Sequence, residues 1–254
     1  MILCSKLGFF ILAVDTPLMD LPGILSYRVE RLKFKATNLD LIVALMATFL
    51  LPIACWLLLD WSGALIPLLL YYGVFCVVIV MWRKKSLDYV KPVSWAWKLF
   101  IGLLILQIIT QTAAYLTIIP VDDPWEGVLL TLIFWVPLNA AMEQLLWVYI
   151  FDAFETRWTE RRKRFIGGIA GMLLAILFVG FIHALFWGRF LPSFESVMPW
   201  SQIFFIAQFI ITPGYLLLYR RTGSMWPIFA IHLIADAMLV IGAMYSIIPD
   251  LWTL

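Results

Sequence analysis

Charge is what this sequence has least of. Only 13% of its 254 residues are Asp, Glu, Lys or Arg, while 64% are hydrophobic. Soluble domains carry roughly 25% charged residues, so a water-exposed globular surface is excluded. Net charge is only +2, which excludes the strongly basic balance of a nucleic-acid binder, and no nucleic-acid partner is expected. Cysteine is scarce too. Cys4, Cys55 and Cys76 show no paired spacing, which leaves neither a disulfide framework nor a zinc-type cysteine cluster. Cys55 and Cys76 lie in apolar runs, where buried thiols are small hydrophobes. There is no low-complexity segment, no soluble domain, and no internal repeat of the kind seen in inverted-repeat transporters.

What is present is a series of long apolar runs. A spanning helix needs about 20 mostly apolar residues. The runs are Leu41–Leu59, Trp61–Trp82, Leu99–Val121, one from Gly127 interrupted by Glu143, Phe165–Gly188, Ser196–Tyr219, and Thr222–Pro249 interrupted by Asp236. They predict an all-α, polytopic membrane helix bundle with seven transmembrane helices. Pro213-Gly214 is expected to kink the sixth without ending it, since neighbouring helices can satisfy freed backbone groups. Residues 1–36 read as an N-terminal arm, interfacial or re-entrant, or as an eighth span. Residues 37–124 then hold three helices and residues 125–254 a core of four.

Lys and Arg set the orientation. All but Arg189 of the 18 basic residues fall on one side of a seven-span topology. The loop "ETRWTERRKRF" is typical of that side, and "VDDPWE" of the other. The basic side is expected to be cytoplasmic, with the N-terminus there. The protein reads as integral and multi-pass, in the cytoplasmic membrane if it is bacterial. The basic loops are topology determinants touching lipid headgroups.

Four ionisable positions lie well inside the spans: Glu143, His183, His232 and Asp236. They include both histidines of the chain. A charge at the bilayer centre costs about 2.5–3.5 kcal/mol on insertion scales, so such groups should face the bundle interior and find one another. His232 and Asp236 are four apart and share a helix face. Taken singly, each has a structural reading as a helix–helix hydrogen-bond partner, and Glu143 four residues after Asn139 could belong to a polar seam. Taken together, a Glu, two His and an Asp in a dry bundle make a general acid–base constellation.

In this setting the sequence resembles the CPBP family of intramembrane proteases, which includes the CAAX prenyl endopeptidases and bacteriocin-processing relatives. Three motifs carry the resemblance. "EQLLWV" stands for Glu-Glu-x-x-x-Arg, "VGFIH" for Phe-x-x-x-His, and "HLIAD" for His-x-x-x-Asn or Asp. The run "TGSMWPIFAIHLIAD" (222–236) is the closest match, and the likeness covers roughly residues 125–245. Gln144 and Val148 replace the second glutamate and the arginine, and Val179 stands for the usual Phe. With both positions neutral together, no charged partner is left stranded. The resemblance implies a glutamic endopeptidase without cofactor or metal. Glu143 would activate a water. His183 and His232 would position it and stabilise the oxyanion, with Asp236 orienting His232. Gln144 and Asn139 would give substrate or structural support. The implied partners are the lipid bilayer and a peptide or membrane-protein substrate, including lipidated ones.

Alternatives of other classes follow from the same residues. They are a non-catalytic scaffold of the same fold, a metal-dependent membrane protease using the two His with Glu and Asp, and a proton-coupled carrier. Depth also matters. At about 1.5 Å per residue, Glu143 lies about 18 Å from Glu155, His232 about 12 Å from Ser224, and His183 about 28 Å from Arg164. Straight, flush helices would not bring these to one level, so the site requires a projecting or tilted fifth span.

Overall fold

The computed structural model describes residues 34–116, 120–190 and 200–251. The expected N-terminal arm up to residue 33, and with it any eighth span, lies outside the described residues. So do the start of the expected sixth run and part of the end of the third.

Among the described residues there are seven long helices: α1 (Asn38–Ser62), α2 (Leu65–Lys84), α3 (Trp97–Tyr115), α4 (Trp125–Glu155), α5 (Arg161–Trp187), α6 (Trp200–Thr222) and α7 (Trp226–Ala243). No strand occurs among the described residues. The all-α bundle is therefore the architecture observed. Among the described residues, six helices, α1 to α5 and α7, are long and apolar enough to cross a membrane by length and composition, against the approximate seven expected. α6 runs through Pro213 without a break.

The ends follow local chemistry. A capping box starts α1, with the Thr37 amide donating to Asp40 Oδ2 at 2.7 Å; this satisfies a backbone group that the helix start leaves open. Gly63 (φ 68°) turns the chain into α2, and Gly223 (φ 61°) turns α6 into α7. α7 stops at Met244, whose φ of 49° is left-handed, and its last residues fall short of the expected Pro249.

α4 is the central helix. Its second half is buried almost all round and packs on α1, α2, α5 and α7. Large apolar side chains such as Val78, Ile109, Phe134 and Ile210 point outward, exposed. In a bilayer that exposure faces lipid rather than water. α5 approaches α4 through glycines. A Cβ on Gly171 would lie 2.7 Å from the Phe151 carbonyl oxygen, and Gly167 abuts Phe154 in the same way.

Charges gather at one end of the bundle. Lys84 Nζ lies 2.8 Å from Asp152 and 2.9 Å from Asp88. Glu155 Oε1 accepts from Arg164 (2.6 Å) and Arg220 (3.2 Å). Asp40 takes Arg83 at 2.8 Å. A strap, residues 85–96, crosses this basic end between α2 and α3. The Met225 amide donates to Asp88 O, the Val93 amide to Thr222 O, and Ser224 Oγ to Val90 O. Three of its non-glycine residues, Lys85, Asp88 and Ala96, have φ between 46° and 59°. Such a conformation persists only where surrounding contacts hold it.

Candidate active site

Glu143 sits on α4 in the middle of the bundle and is 2% exposed. Its Oε1 accepts from Tyr71 Oη at 3.0 Å and from Trp187 Nε1 at 3.1 Å. Its Oε2 lies 3.5 Å from His232 Nε2. The same nitrogen lies 3.4 Å from Asp236 Oδ1, one turn along α7. Asn139 Nδ2 donates to Asp236 Oδ2 at 2.7 Å, and Tyr72 Oη donates to Asn139 Oδ1. His232 Nδ1 lies 2.8 Å from Gln144 Oε1. Gln144 Nε2 in turn donates to Tyr89 Oη, on the strap, at 3.2 Å. One polar seam thus joins Asn139, Glu143, Gln144, His232 and Asp236.

His183 stands slightly apart. It is half-buried on α5, and its Nδ1 bonds the Val179 carbonyl at 2.7 Å. A carbonyl only accepts, so Nδ1 carries the proton and Nε2 of the neutral ring presents a lone pair. Among the described residues, the imidazole makes no hydrogen bond to any of the five side chains of the seam.

Side-chain direction closes the gap in depth between α4 and α5. The Cα–Cβ bond of a helical residue tilts toward the helix N-terminus. α4 and α5 run antiparallel, so Glu143 leans away from the basic end while Trp187 and His183 lean toward it. α5 also begins in its basic run, Arg161–Arg164, well before the level of the seam. Its residues 183–187 are π-helical, a wider turn that recurs at functional sites.

Two further π-helical stretches adjoin the seam, Leu69–Ile79 and Thr131–Trp135. In the first, the successive residues Tyr71 and Tyr72 both reach inward, their rings stacked 5.0 Å apart. An α-helix turns adjacent side chains by about 100°; the wider π turn brings them nearer to one face.

The aromatic members of the site escaped the sequence analysis. Tyr71, Tyr72, Tyr89 and Trp187 look like ordinary aromatics in a chain with 16% of them. Only the spacing of Trp187, four after His183, was a usable signal. Trp147 and Tyr215 flank the His232 ring at centroid distances of 5.5 and 6.3 Å. Their Nε1 and Oη are buried and have no hydrogen-bond partner among the described residues. Val148, at the arginine position of the first motif, is an apolar core residue. Among the described residues, no three of the His, Cys, Asp and Glu side chains are grouped as a metal site would require.

Outside the spans, burial pushes the Tyr89 hydroxyl above its ordinary range, so it stays protonated. Burial also pushes the Asp88 carboxyl up, but Lys84, Tyr219 and Ser86 outweigh it and hold the group below its ordinary value.

No curated protein and no solved structure matches the chain. A family model does. Residues 125–238 match type II CAAX prenyl endopeptidase Rce1-like, a stretch that begins with α4 and ends two residues past Asp236. Through this segment, a little under half of its length, the chain is similar to the Rce1-like CAAX-type endopeptidases.

Proposed function

We propose that the protein is an intramembrane endopeptidase that hydrolyses a peptide bond in a membrane-associated protein or peptide precursor by a glutamate-activated water. The observation that carries the reading is the environment of Glu143. Two donors hold Oε1, and Oε2 is turned toward His232. Oε2 takes a proton from water as its oxygen attacks the scissile carbonyl carbon. In its imidazolium form His232 carries a second proton on Nε2, between Glu143 and Asp236, and donates a hydrogen bond from it to the oxyanion that forms. Donors aimed at such charge act strongly in a dry, low-dielectric site. The C–N bond then breaks, and Glu143 returns its proton to the leaving amine. His183 Nε2 orients the water. Asp236, held by Asn139, orients His232. Trp147 Nε1 and Tyr215 Oη supply donors for substrate carbonyls.

Residues 125–254 are the catalytic-type core in this reading, and 37–124 contribute Tyr71, Tyr72 and Tyr89 to it. The bias of Lys and Arg puts the basic end, with the strap, on the cytoplasmic side.

The test uses purified protein in lipid nanodiscs with lipidated and unlipidated peptide libraries. Glu143→Gln is expected to lower cleavage about 10²–10⁴-fold, the usual worth of a general base. Cleavage that survives the substitution overturns the glutamate mechanism. Uncleaved precursors in membranes of a Glu143→Gln strain would identify the substrate. A phenotype rescued by that variant would favour the scaffold reading instead.

A further inference from the structure

The strap reaches into the site at one point. Tyr89 follows Asp88, whose left-handed backbone is held by Ser86, Lys84 and Tyr219 side chains and by the Met225 amide. Its ring lies edge-on to Trp226 (5.2 Å) and Phe229 (6.2 Å) at the start of α7. Its hydroxyl meets two groups: the Ala141 carbonyl at 2.6 Å and Gln144 Nε2 at 3.2 Å.

The direction of each bond follows from what the groups can do. A carbonyl oxygen only accepts, so the single Tyr89 proton goes to Ala141 O. The hydroxyl oxygen therefore accepts from Gln144, which puts the NH2 of the amide on the Tyr89 side. Oε1 then faces His232, 2.8 Å from Nδ1. An amide oxygen only accepts, so Nδ1 carries a proton. Nε2 is left as the nitrogen that takes up and gives a proton, and it is the one facing Glu143 Oε2 and Asp236 Oδ1.

We infer that Tyr89 is a positioning residue that sets the tautomer of His232 by fixing the orientation of the Gln144 amide. The inference rests on the peptidase reading for its consequence, not for its geometry. An amide is asymmetric and flips if nothing holds it. Gln144 stands where the family motif has a glutamate, whose two oxygens accept equally in either orientation. A glutamine there needs an orienting neighbour, and Tyr89 is that neighbour. The cytoplasm-facing strap is thereby coupled to the proton inventory of the site.

The chain has only two histidines, so ¹⁵N-histidine labelling of the full protein in nanodiscs reads this directly, with His183→Asn assigning the signals. Spectra are taken well above the ordinary imidazole pKa of about 6.5. Wild-type His232 is expected to show a protonated Nδ1 and an unprotonated Nε2. Tyr89→Phe keeps the ring packed on Trp226 and Phe229 and is expected to give a mixture of tautomers. Adding Gln144→Glu to Tyr89→Phe is expected to restore the single Nδ1–H form. A His232 protonated on Nε2 in the wild type, or a Tyr89→Phe ring identical to wild type, overturns the inference. So does a double variant that still shows the mixture. In peptide cleavage, Tyr89→Phe is expected to lower kcat about tenfold, the worth of one hydrogen bond, with KM unchanged. A wild-type protein that cleaves nothing but shows the expected tautomers would sink the peptidase reading and leave the tautomer control standing.

Discussion

Glu143 Oε1 accepts from Tyr71 and Trp187, on two different helices. A carboxylate buried this deeply needs such donors, since an unpaired one is costly. Trp187→Phe keeps the ring and removes one of them. A hydrogen bond to a charged group contributes about 1.5–3 kcal/mol, so the variant should cleave about 10–100-fold more slowly, read as kcat in a peptide assay. Asn139 bridges Tyr72 and Asp236. Asn139→Leu would strand a buried carboxylate oxygen and a buried hydroxyl, each costing about 1–3 kcal/mol. The expected outcome is a lower unfolding temperature in detergent; an unchanged temperature would mean that the bridge contributes little.

The α4–α5 contact is set by what is missing from α5. With no side chain at Gly171, the helices approach until the Phe151 carbonyl would lie 2.7 Å from a Cβ. Close approach of this kind is the main source of helix association in lipid. Gly171→Leu must push α5 away, carrying Trp187 and His183 with it. Overpacking typically costs about 1–3 kcal/mol; in the proposed mechanism His183 and Trp187 work through position, so loss of activity should exceed loss of stability. The strap is held differently, by charge. Asp88 has a depressed carboxyl pKa, so its contribution is fully present above the ordinary carboxylate value of about 4 and is lost as pH falls through the lower folded value. The strap should stay docked from neutral pH down to that range and loosen below it. Hydrogen exchange of the Val93 and Met225 amides, which bond Thr222 O and Asp88 O, measures this. Asp88→Ala should show fast exchange already at neutral pH.

At the scale of the whole molecule, the strap and the α4–α5 loop lie at the basic end, and the α3–α4 connection at the other. Lys91→Cys and Glu160→Cys should therefore label from one side of a sealed vesicle and Glu126→Cys from the opposite side. All three side chains are exposed. Labelling of all three from one side would contradict the bundle as a spanning structure.

The sequence by itself determined the class of fold. Apolar runs too long and too poor in charge for water leave only helices able to satisfy their own backbone in lipid. It also determined which ionisable groups are deep, because each is an exception within its run, and the His232–Asp236 pairing, because four residues make a shared helix face. Only the tertiary structure decided what surrounds them. Tyr71, Trp187 and Tyr89 come from α2, α5 and the strap, and aromatic residues in an apolar chain carry no mark that separates a hydrogen-bonding phenol from a packed one. It likewise decided the depth of His183 and Trp187, which depends on glycine contacts, π-helical turns and side-chain tilt rather than on residue counts. Gln144 shows the limit most clearly. In sequence it is a lost glutamate. In space it is an oriented amide between a strap tyrosine and His232, and that role exists only where three distant segments meet.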